Sequence, residues 1–155
     1  MRTISQPEAV TIDTRDDQED LGALFAQITR RVIDAERPLL HARGLSMWEY
    51  IALSRLAIGS APTQQALAEQ MGYDKTRLID LLDKLAVAGL VQRRPDPQDR
   101  RARIVAITPS GRARHRAVRN DIRALERELL AGFSDDEQRA LRAALTRLVQ
   151  AHDSW

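Results

Sequence analysis

Apolar residues recur three and four positions apart along much of the chain, which is the spacing of one face of an α-helix. The first such stretch runs from Leu21 to Ala35, and Pro38 is expected to end or kink it. A second helix, from about Met47 to Ile58, is mostly apolar and is therefore expected near the centre of the fold. Ser46 and Glu49 form a capping-box pattern at its start.

The next two predicted helices are short and closely spaced. Thr63 is a candidate N-cap for a third helix, Gln64 to Met71, and Asp74 for a fourth, about Lys75 to Ala88. The turn between them is Gly72-Tyr73-Asp74, and Gly89 supplies a C-cap signal after the second. Two helices joined by a short glycine-containing turn predict a helix-turn-helix.

A basic hairpin is predicted directly after this pair, between Arg93 and Gly111. Pro95-Asp96-Pro97 cannot continue a helix and favours a tight reversal. Asp99-Arg100-Arg101 then lies at or near the tip, and the β-branched run Arg103 to Ile107 predicts the returning strand. A helix-turn-helix followed by a hairpin is a winged helix.

Two further helices complete the predicted fold. Thr108 precedes Pro109, a helix-start signal, and the fifth helix is expected to reach about Gly132. Ser134 and Glu137 form another capping box before a last helix that carries Leu141, Leu145 and Leu148. The fold class is therefore mainly α with a small β-hairpin wing, preceded by a polar, acidic segment, 1–18, expected to be a flexible arm.

Charge distribution says more than the net charge of +2. Between Arg93 and Arg119 there are nine arginines and two aspartates, whereas between Glu8 and Asp20 there are six acids and one arginine. A concentrated basic block in a nearly neutral chain favours a polyanionic partner. The alternative is an ordinary solvated arginine-rich face.

The composition also excludes several classes of function. With no cysteine, the chain has no disulfide, no thiolate zinc site and no thiol redox sensor. No apolar run approaches a membrane span and the N-terminal stretch lacks a signal-peptide h-region, so we expect a cytoplasmic protein with no membrane contact. The chain lacks phosphate-cradling glycine loops and metal-binding or nucleophile motifs, which predicts a non-enzyme without cofactor or metal.

The outward face of the fourth helix holds Lys75, Thr76, Arg77 and Asp80. Lysine and arginine can bind guanine edges or phosphates, and threonine can bind a phosphate or contact a thymine methyl. Asp80 can accept a hydrogen bond from cytosine or hold Arg77 in an ion pair. The alternative is that all four are solvated helix residues. We favour DNA contact, because the inner face is already apolar.

The segments LSMWEYIALSRL and LAEQMGYDKTRLIDLLDKLAVAGLVQRRPDPQDRRARIVAITPSGR resemble the MarR family of bacterial transcription regulators. The resemblance covers about Leu21 to Val149. It implies a homodimer in which two winged helices, 45–108, read a pseudo-palindromic site in double-stranded DNA. It also implies that an N-terminal helical segment, 19–44, and C-terminal helices, 109–155, interlock between subunits.

The resemblance further assigns roles to individual residues. Arg101 matches the arginine at the wing tip that enters the minor groove, and Asp99 matches the acid that orients it. Arg100 and Arg103 are expected to reach phosphate or brace the wing, and Thr63 is expected at the DNA. Many members have Thr-Val-Thr-Arg where this chain has Arg77-Leu78-Ile79-Asp80, so base preference does not carry over.

Many members of the family also bind small aromatic or phenolic anions between the dimerisation helices and the DNA-binding lobe. Residues expected near that cleft are His41, Arg43, Trp48 and Tyr50. The simpler interpretation of Trp48 is packing in the core or in the dimer interface, and of His41 and His115 a structural role. The sequence thus predicts a dimeric repressor released by a ligand. The alternative is a winged-helix protein-interaction module with only weak, non-specific DNA binding.

Overall fold

The computed structural model describes residues 20–59 and 62–151, so the predicted arm, 1–18, lies outside the described residues. The described part contains six helices and one two-stranded sheet, as predicted. Their bounds are α1 Leu21–Ala42, α2 Met47–Ile58, α3 Gln64–Met71, α4 Lys75–Val87, β1 Val91–Pro95, β2 Arg103–Ile107, α5 Pro109–Leu129 and α6 Asp135–Ala151. None of these helices is long and apolar enough to cross a membrane.

Contacts divide the chain into two compact units, Met1–Ile33 and Asp34–Trp155. The described part of the first unit is the beginning of α1. The second unit contains the rest of α1, the helix-turn-helix, the hairpin and the two C-terminal helices. The predicted division at 44 and 108 into dimerisation and DNA-binding segments therefore stays a prediction about function.

The predicted helix starts are confirmed by their hydrogen bonds. Ser46 and Glu49 form a reciprocal capping box at α2, where each side chain accepts from the other's backbone N–H. Thr63, Asp74 and Thr108 each accept from the backbone N–H three residues ahead, at α3, α4 and α5. Short polar side chains thus satisfy N–H groups that a helix start leaves unpaired.

Two helix ends differ from the sequence prediction. The sequence predicts that Pro38 ends or kinks α1; the helix does not end there but continues to Ala42, and the kink stays a prediction. Proline removes one helical hydrogen bond, and the burial of Leu40 against the core offsets that loss. Helix α5 ends at Leu129, three residues early, because the chain turns there and the Gln138 amide binds the carbonyls of Leu130 and Phe133.

The hairpin has the predicted second strand but a wider connection than predicted. Its antiparallel register runs from Val91 opposite Ile107 to Pro95 opposite Arg103. Residues 96–102 form a seven-residue loop instead of a tight reversal. Asp96 and Asp99 organise it, since each side chain accepts from the backbone N–H two residues ahead. The connection is therefore a loop with two Asx turns, and not the tight reversal predicted from the two prolines.

Leucine dominates the core, as expected from a chain with 4% aromatic residues. The inner face of α4 is formed by Leu78, Leu81, Leu82 and Leu85, and α4 packs with α2, α3 and β1. Val105 and Ile107 of β2 belong to the same core cluster. Gly111, in the first turn of α5, lies against the end of this layer. A Cβ atom at Gly111 would lie 2.1 Å from the Leu90 carbonyl oxygen and 2.8 Å from Ile107 Cγ1. The close contact of α5 with the base of the hairpin therefore requires a glycine.

We expect Gly111→Ala to lower the free energy of unfolding by about 3 kcal/mol, the upper part of the range for overpacked cores. Alanine is the better helix former, so helix propensity predicts the opposite sign. Urea denaturation measures the difference. Gly132→Ala is the control, because a Cβ there meets no atom within 4 Å. A Gly111→Ala variant as stable as wild type would contradict the packing at this contact.

Candidate nucleic-acid interface

Helix α4 packs against the protein on one side and is exposed to solvent on the other. Gly72 ends α3 in the left-handed region, with φ of 56°, and the chain turns directly into Asp74, the N-cap of α4. The leucines of α4 are buried on one side, so the residues between them face solvent. These exposed residues include all four predicted contacts on α4, Lys75, Thr76, Arg77 and Asp80.

The predicted contacts of the wing are also exposed. Asp99, Arg100 and Arg101 lie in the loop, and Arg103 is the first residue of β2. The Asp99 carboxylate accepts from the backbone N–H of Arg101 at 2.9 Å. Asp99 therefore fixes the backbone at Arg101 and leaves the guanidinium of Arg101 free to extend from the protein.

A groove of about 510 Å³ brings the wing and the helix-turn-helix together. Among its lining residues are five of the predicted contacts, Thr63, Lys75, Asp99, Arg101 and Arg103. The Thr63 hydroxyl is already used, because it caps α3 by accepting from Ala66 at 3.1 Å. Lys75 and the two arginines therefore supply the positive charge of this groove.

The lysine and the arginines of this surface are not neutralised by ion pairs within the described residues. Within residues 20–59 and 62–151, no ion pair involves Lys75, Arg77, Arg100, Arg101 or Arg103. The alternative role of Asp80, an ion pair with Arg77, is therefore absent from the structure. By contrast, Arg43 binds Asp121 and Arg142 binds Glu126. Charges that the protein leaves unneutralised are available to phosphate.

Arg77 and Asp80 line a second, smaller groove of about 260 Å³ together with Trp48 and Tyr73. The Trp48 and Tyr73 rings are tilted by 39° with centroids 4.4 Å apart. Trp48 keeps 41% of its surface exposed, so of its two expected positions the core is wrong and the dimer interface stays a prediction. Trp48, near the capped start of α2, lies in a surface groove beside α4 and not among the buried leucines of α4.

The four residues predicted at a ligand cleft do not lie together. His41 is exposed at the end of α1, and Trp48 lies beside α4. The Arg43 guanidinium binds the Asp121 carboxylate through two hydrogen bonds of 2.8 and 3.2 Å. Only Tyr50 of the four lines a cavity between α2 and α5.

That cavity, about 490 Å³, contains residues that the sequence analysis did not assign to it. Besides Tyr50, Ser54, Ala57 and Ile58 of α2, its lining comprises Arg112, His115, Arg116 and Arg119 of α5. The four α5 residues are spaced three, one and three apart, which places them on one face of the helix. This spacing was visible in the sequence, but the partner face on α2 was not.

His115 is the buried polar residue of this cavity, with 7% of its surface exposed. Its ring stacks on Tyr50 with centroids 5.5 Å apart, and its Nε2 lies 3.1 Å from the Ser54 hydroxyl. The Ser54 hydroxyl donates to the Tyr50 carbonyl, so the imidazole is the donor to Ser54. Burial lowers the pKa of His115, and Arg119, Arg112 and Arg116 lower it further. The imidazole is therefore neutral and hydrogen-bonded at neutral pH.

Comparison with known proteins identifies the family. Residues 43–102 match the model of the MarR family, a range that includes α2, α3, α4, β1 and the loop of the wing. The crystal structure of a MarR-family transcriptional regulator from Rhodococcus sp. RHA1 matches with a TM-score of 0.74. The two are 26% identical over 84% of this chain and 96% of that one. The chain belongs to the MarR family. It has the winged-helix DNA-binding fold of MarR-family transcriptional regulators.

Two further proteins are similar to this chain, a transcriptional regulator and a ligand-bound structure. The HTH-type transcriptional regulator PecS of Dickeya dadantii is 32% identical over 111 residues, which are 70% of this chain and 66% of PecS. CouR from Rhodococcus jostii RHA1, solved bound to p-coumaroyl-CoA, matches with a TM-score of 0.70 and 27% identity. That match covers 84% of this chain and 92% of CouR. PecS and the Rhodococcus sp. RHA1 protein are both transcriptional regulators by name.

The neutral state of His115 predicts a pH dependence of stability. Its pKa is lowered in the folded protein, so the unfolded chain takes up a proton first as the pH falls. Stability should therefore decrease as the pH falls through 6.5, the pKa of an unperturbed histidine, towards the lower pKa of the folded state. We expect His115→Gln to lose less stability than wild type between pH 7.5 and 5, measured as thermal midpoints.

His41→Gln is the control for this experiment, because it removes an exposed histidine instead of the buried one. The His41→Gln variant should follow the wild-type pH response. An equal loss in His115→Gln and wild type would show that His115 is not held neutral by the fold.

Proposed function

We propose that this MarR-family chain is a homodimeric repressor that binds a pseudo-palindromic operator and is released by a small aromatic or phenolic ligand. The observation that carries the DNA-binding part is the groove shared by the wing and the helix-turn-helix. Lys75, Arg101 and Arg103 line this groove, together with Glu69 and Asp99. Within the described residues none of the three basic side chains forms an ion pair. Repression requires little else, since an operator that overlaps a promoter is blocked by occupancy alone.

The proposed contacts divide between the two grooves of the duplex. Helix α4 enters the major groove, where Lys75, Thr76, Arg77 and Asp80 meet base edges and phosphates. The wing follows the backbone with Arg100 and Arg103, and Arg101 enters the minor groove. An arginine there senses groove width and negative potential and does not read a full base code.

Exposed apolar residues on α6 support the proposed homodimer. Helix α6 has no buried residue, and Leu141, Leu145 and Leu148 each keep 40–45% of their surface exposed. An amphipathic helix with an uncovered apolar face needs a partner. In the first unit, the described start of α1 also exposes Leu24, Phe25 and Ile28. A second copy of the chain, paired through such faces, would supply two winged helices related by a dyad.

The cavity between α2 and α5 is the proposed effector site. Tyr50 and the neutral His115 offer a stacked aromatic wall, and Arg112, Arg116 and Arg119 offer charge for a carboxylate or phenolate. The ligand-bound structure of CouR supports the idea that this fold accepts an aromatic acyl compound. Of the four residues predicted at a ligand cleft, Tyr50 lines this cavity. His41, Arg43 and Trp48 lie outside its lining.

Effector binding would act on DNA contact through α5. The cavity residues Arg112 and His115 belong to the first two turns of α5, which a single residue, Thr108, separates from β2. The Arg112 guanidinium also binds the Ala57 carbonyl at 3.2 Å, at the end of α2. A ligand seated there would favour one separation of the two winged helices over another.

Selection of bound DNA from a random duplex pool tests the operator and the dimer together. We expect dyad-symmetric sequences with half-sites about 10 base pairs apart, because two recognition helices then lie on one face of the duplex. Addition of aromatic or phenolic acids to the same selection should reduce recovery of these sequences. Recovered sequences without dyad symmetry would count against the homodimer, and recovery without sequence preference would favour the protein-interaction alternative.

We expect Arg101→Ala to weaken operator binding by about 1–3 kcal/mol, roughly tenfold to a hundredfold in Kd. The log–log salt slope should also fall by about 0.9 for each phosphate neutralisation that is lost. Fluorescence anisotropy over a range of salt concentrations measures both quantities. Arg127→Ala on α5 removes the same charge far from the wing and is expected to keep wild-type affinity. Unchanged affinity in Arg101→Ala would remove the wing from the interface.

A further inference from the structure

Arg93, an arginine of the basic block, is bound to the recognition helix α4 through two contacts. Arg93, on β1, forms an ion pair with the Asp83 carboxylate on α4. Its second terminal nitrogen donates to the backbone carbonyl of Ile79, also on α4, at 2.9 Å. The side chain of Arg93 is 26% exposed, and its Nε is shielded from solvent and has no hydrogen-bond partner.

We propose that Arg93 is a positioning residue that fixes the wing to the recognition helix, so that both present one rigid surface to the duplex without Arg93 touching DNA. The proposal rests on the proposed function, because it concerns how the DNA-contacting elements are held. We call the three-residue contact among Arg93, Asp83 and Ile79 the wing clamp.

The chemistry of the clamp suits arginine in particular. Ile79 and Asp83 are four residues apart, which is about one helical turn, so their acceptors lie along one side of α4. A planar guanidinium can bind both acceptors at once with a fixed orientation, whereas an ammonium group is a flexible point charge. The helix carbonyl of Ile79 has a second lone pair available for this bond. The clamp therefore sets an angle between β1 and α4 as well as a distance.

The wing needs such support because the sheet has only two strands. A two-stranded hairpin is marginally stable alone. In the described residues its other side is tied by the bridge between Thr63 and Ile104 and the Val105 N–H bond to Pro62, both on β2. The wing clamp is the matching attachment on β1. Together they hold both strands to the helix-turn-helix.

Arg94, the next residue of β1, shows the contrast. Side chains alternate along a strand, so Arg94 lies on the opposite face from Arg93. Arg94 is exposed and forms no ion pair within the described residues. The hairpin thus uses neighbouring arginines differently, with one neutralised inside the protein and the other available to solvent or phosphate.

The effect of an Asp83 substitution on operator affinity has opposite signs under the wing clamp and under charge alone. Asp83→Asn removes a negative charge from the DNA-binding region, which by charge alone should strengthen binding to a polyanion. The wing clamp predicts weaker operator binding instead, by about tenfold or more, the effect of one lost charge-assisted hydrogen bond. The measurement is anisotropy with an operator obtained from the random-pool selection.

The double variant Asp83→Asn with Arg93→Gln removes the clamp and leaves the net charge unchanged. We expect its affinity to match that of Asp83→Asn alone, because both break one contact and their effects should not add. The salt slope should stay at the wild-type value, whereas a direct phosphate contact by Arg93 would reduce it by about 0.9. Affinity for random duplex should change less than affinity for the operator.

The exposed pair Arg37 and Asp34 supplies a matched control, since it joins two residues of one helix and cannot orient the wing. Asp34→Asn with Arg37→Gln should bind the operator as wild type does. Light scattering checks that this variant keeps the wild-type mass in solution, because both residues lie in the proposed dimerisation segment, 19–44. Arg93→Lys is a milder variant, which keeps a cation beside Asp83 but cannot bind both acceptors in the same way. Thermal melting checks whether the double variant folds. If it does not fold, Arg93→Lys tests the wing clamp instead, and we expect Arg93→Lys also to weaken operator binding.

The outcomes separate the clamp from the proposed function. If wild type shows no operator preference, the proposed function fails. If wild type binds its operator and Asp83→Asn binds as tightly or more tightly, the clamp is overturned and the proposed function stands. A reduced salt slope in the double variant would assign Arg93 to direct DNA contact, which also overturns the clamp.

Discussion

The contact between the start of α5 and the end of the α4–β1 connection holds the functional parts of this chain together. The Thr108 N–H binds the Leu90 carbonyl at 3.0 Å, and the Thr108 hydroxyl donates to the Gly89 carbonyl at 2.6 Å. Gly111 then lets the helix backbone lie directly against Leu90. These bonds close the base of the hairpin, fix the end of α4 and begin α5 at one place. The recognition helix, the wing and the arginine-rich face of α5 all extend from this small region.

Helix α4 serves two purposes that its amphipathic pattern keeps apart. Its leucines are among the most deeply buried residues of the core, and they hold the helix without help from the polar side. The opposite face is consequently not needed for core packing and can carry charges that the fold does not neutralise. Arg93 and Asp83 are the exception, because they use the edge of α4 to attach the wing. The structure therefore separates charge that maintains the fold from charge available to a partner.

The cavity between α2 and α5 shows why local pattern did not identify every candidate residue. Helical spacing aligned Arg112, His115, Arg116 and Arg119 on one face, but spacing does not reveal which other helix faces them. His41, Arg43, Trp48 and Tyr50 are close in sequence, yet a helix end, a loop and a new helix direct them to different places. Arg43, moreover, binds a carboxylate 78 residues away. Such long-range pairing depends on packing that no short stretch of sequence contains.

The sequence by itself determined the helices and their starts, the second strand and the family resemblance. These features depend on local periodicity, capping side chains and turn chemistry, which act over a few residues. Only the tertiary structure decided that α1 continues through Pro38, since the burial of Leu40 outweighs a lost hydrogen bond. It also decided that neighbouring arginines of β1 have different surroundings and that His115 is buried against Tyr50. Both outcomes depend on which elements pack against β1 and against α5. That packing joins segments distant in sequence.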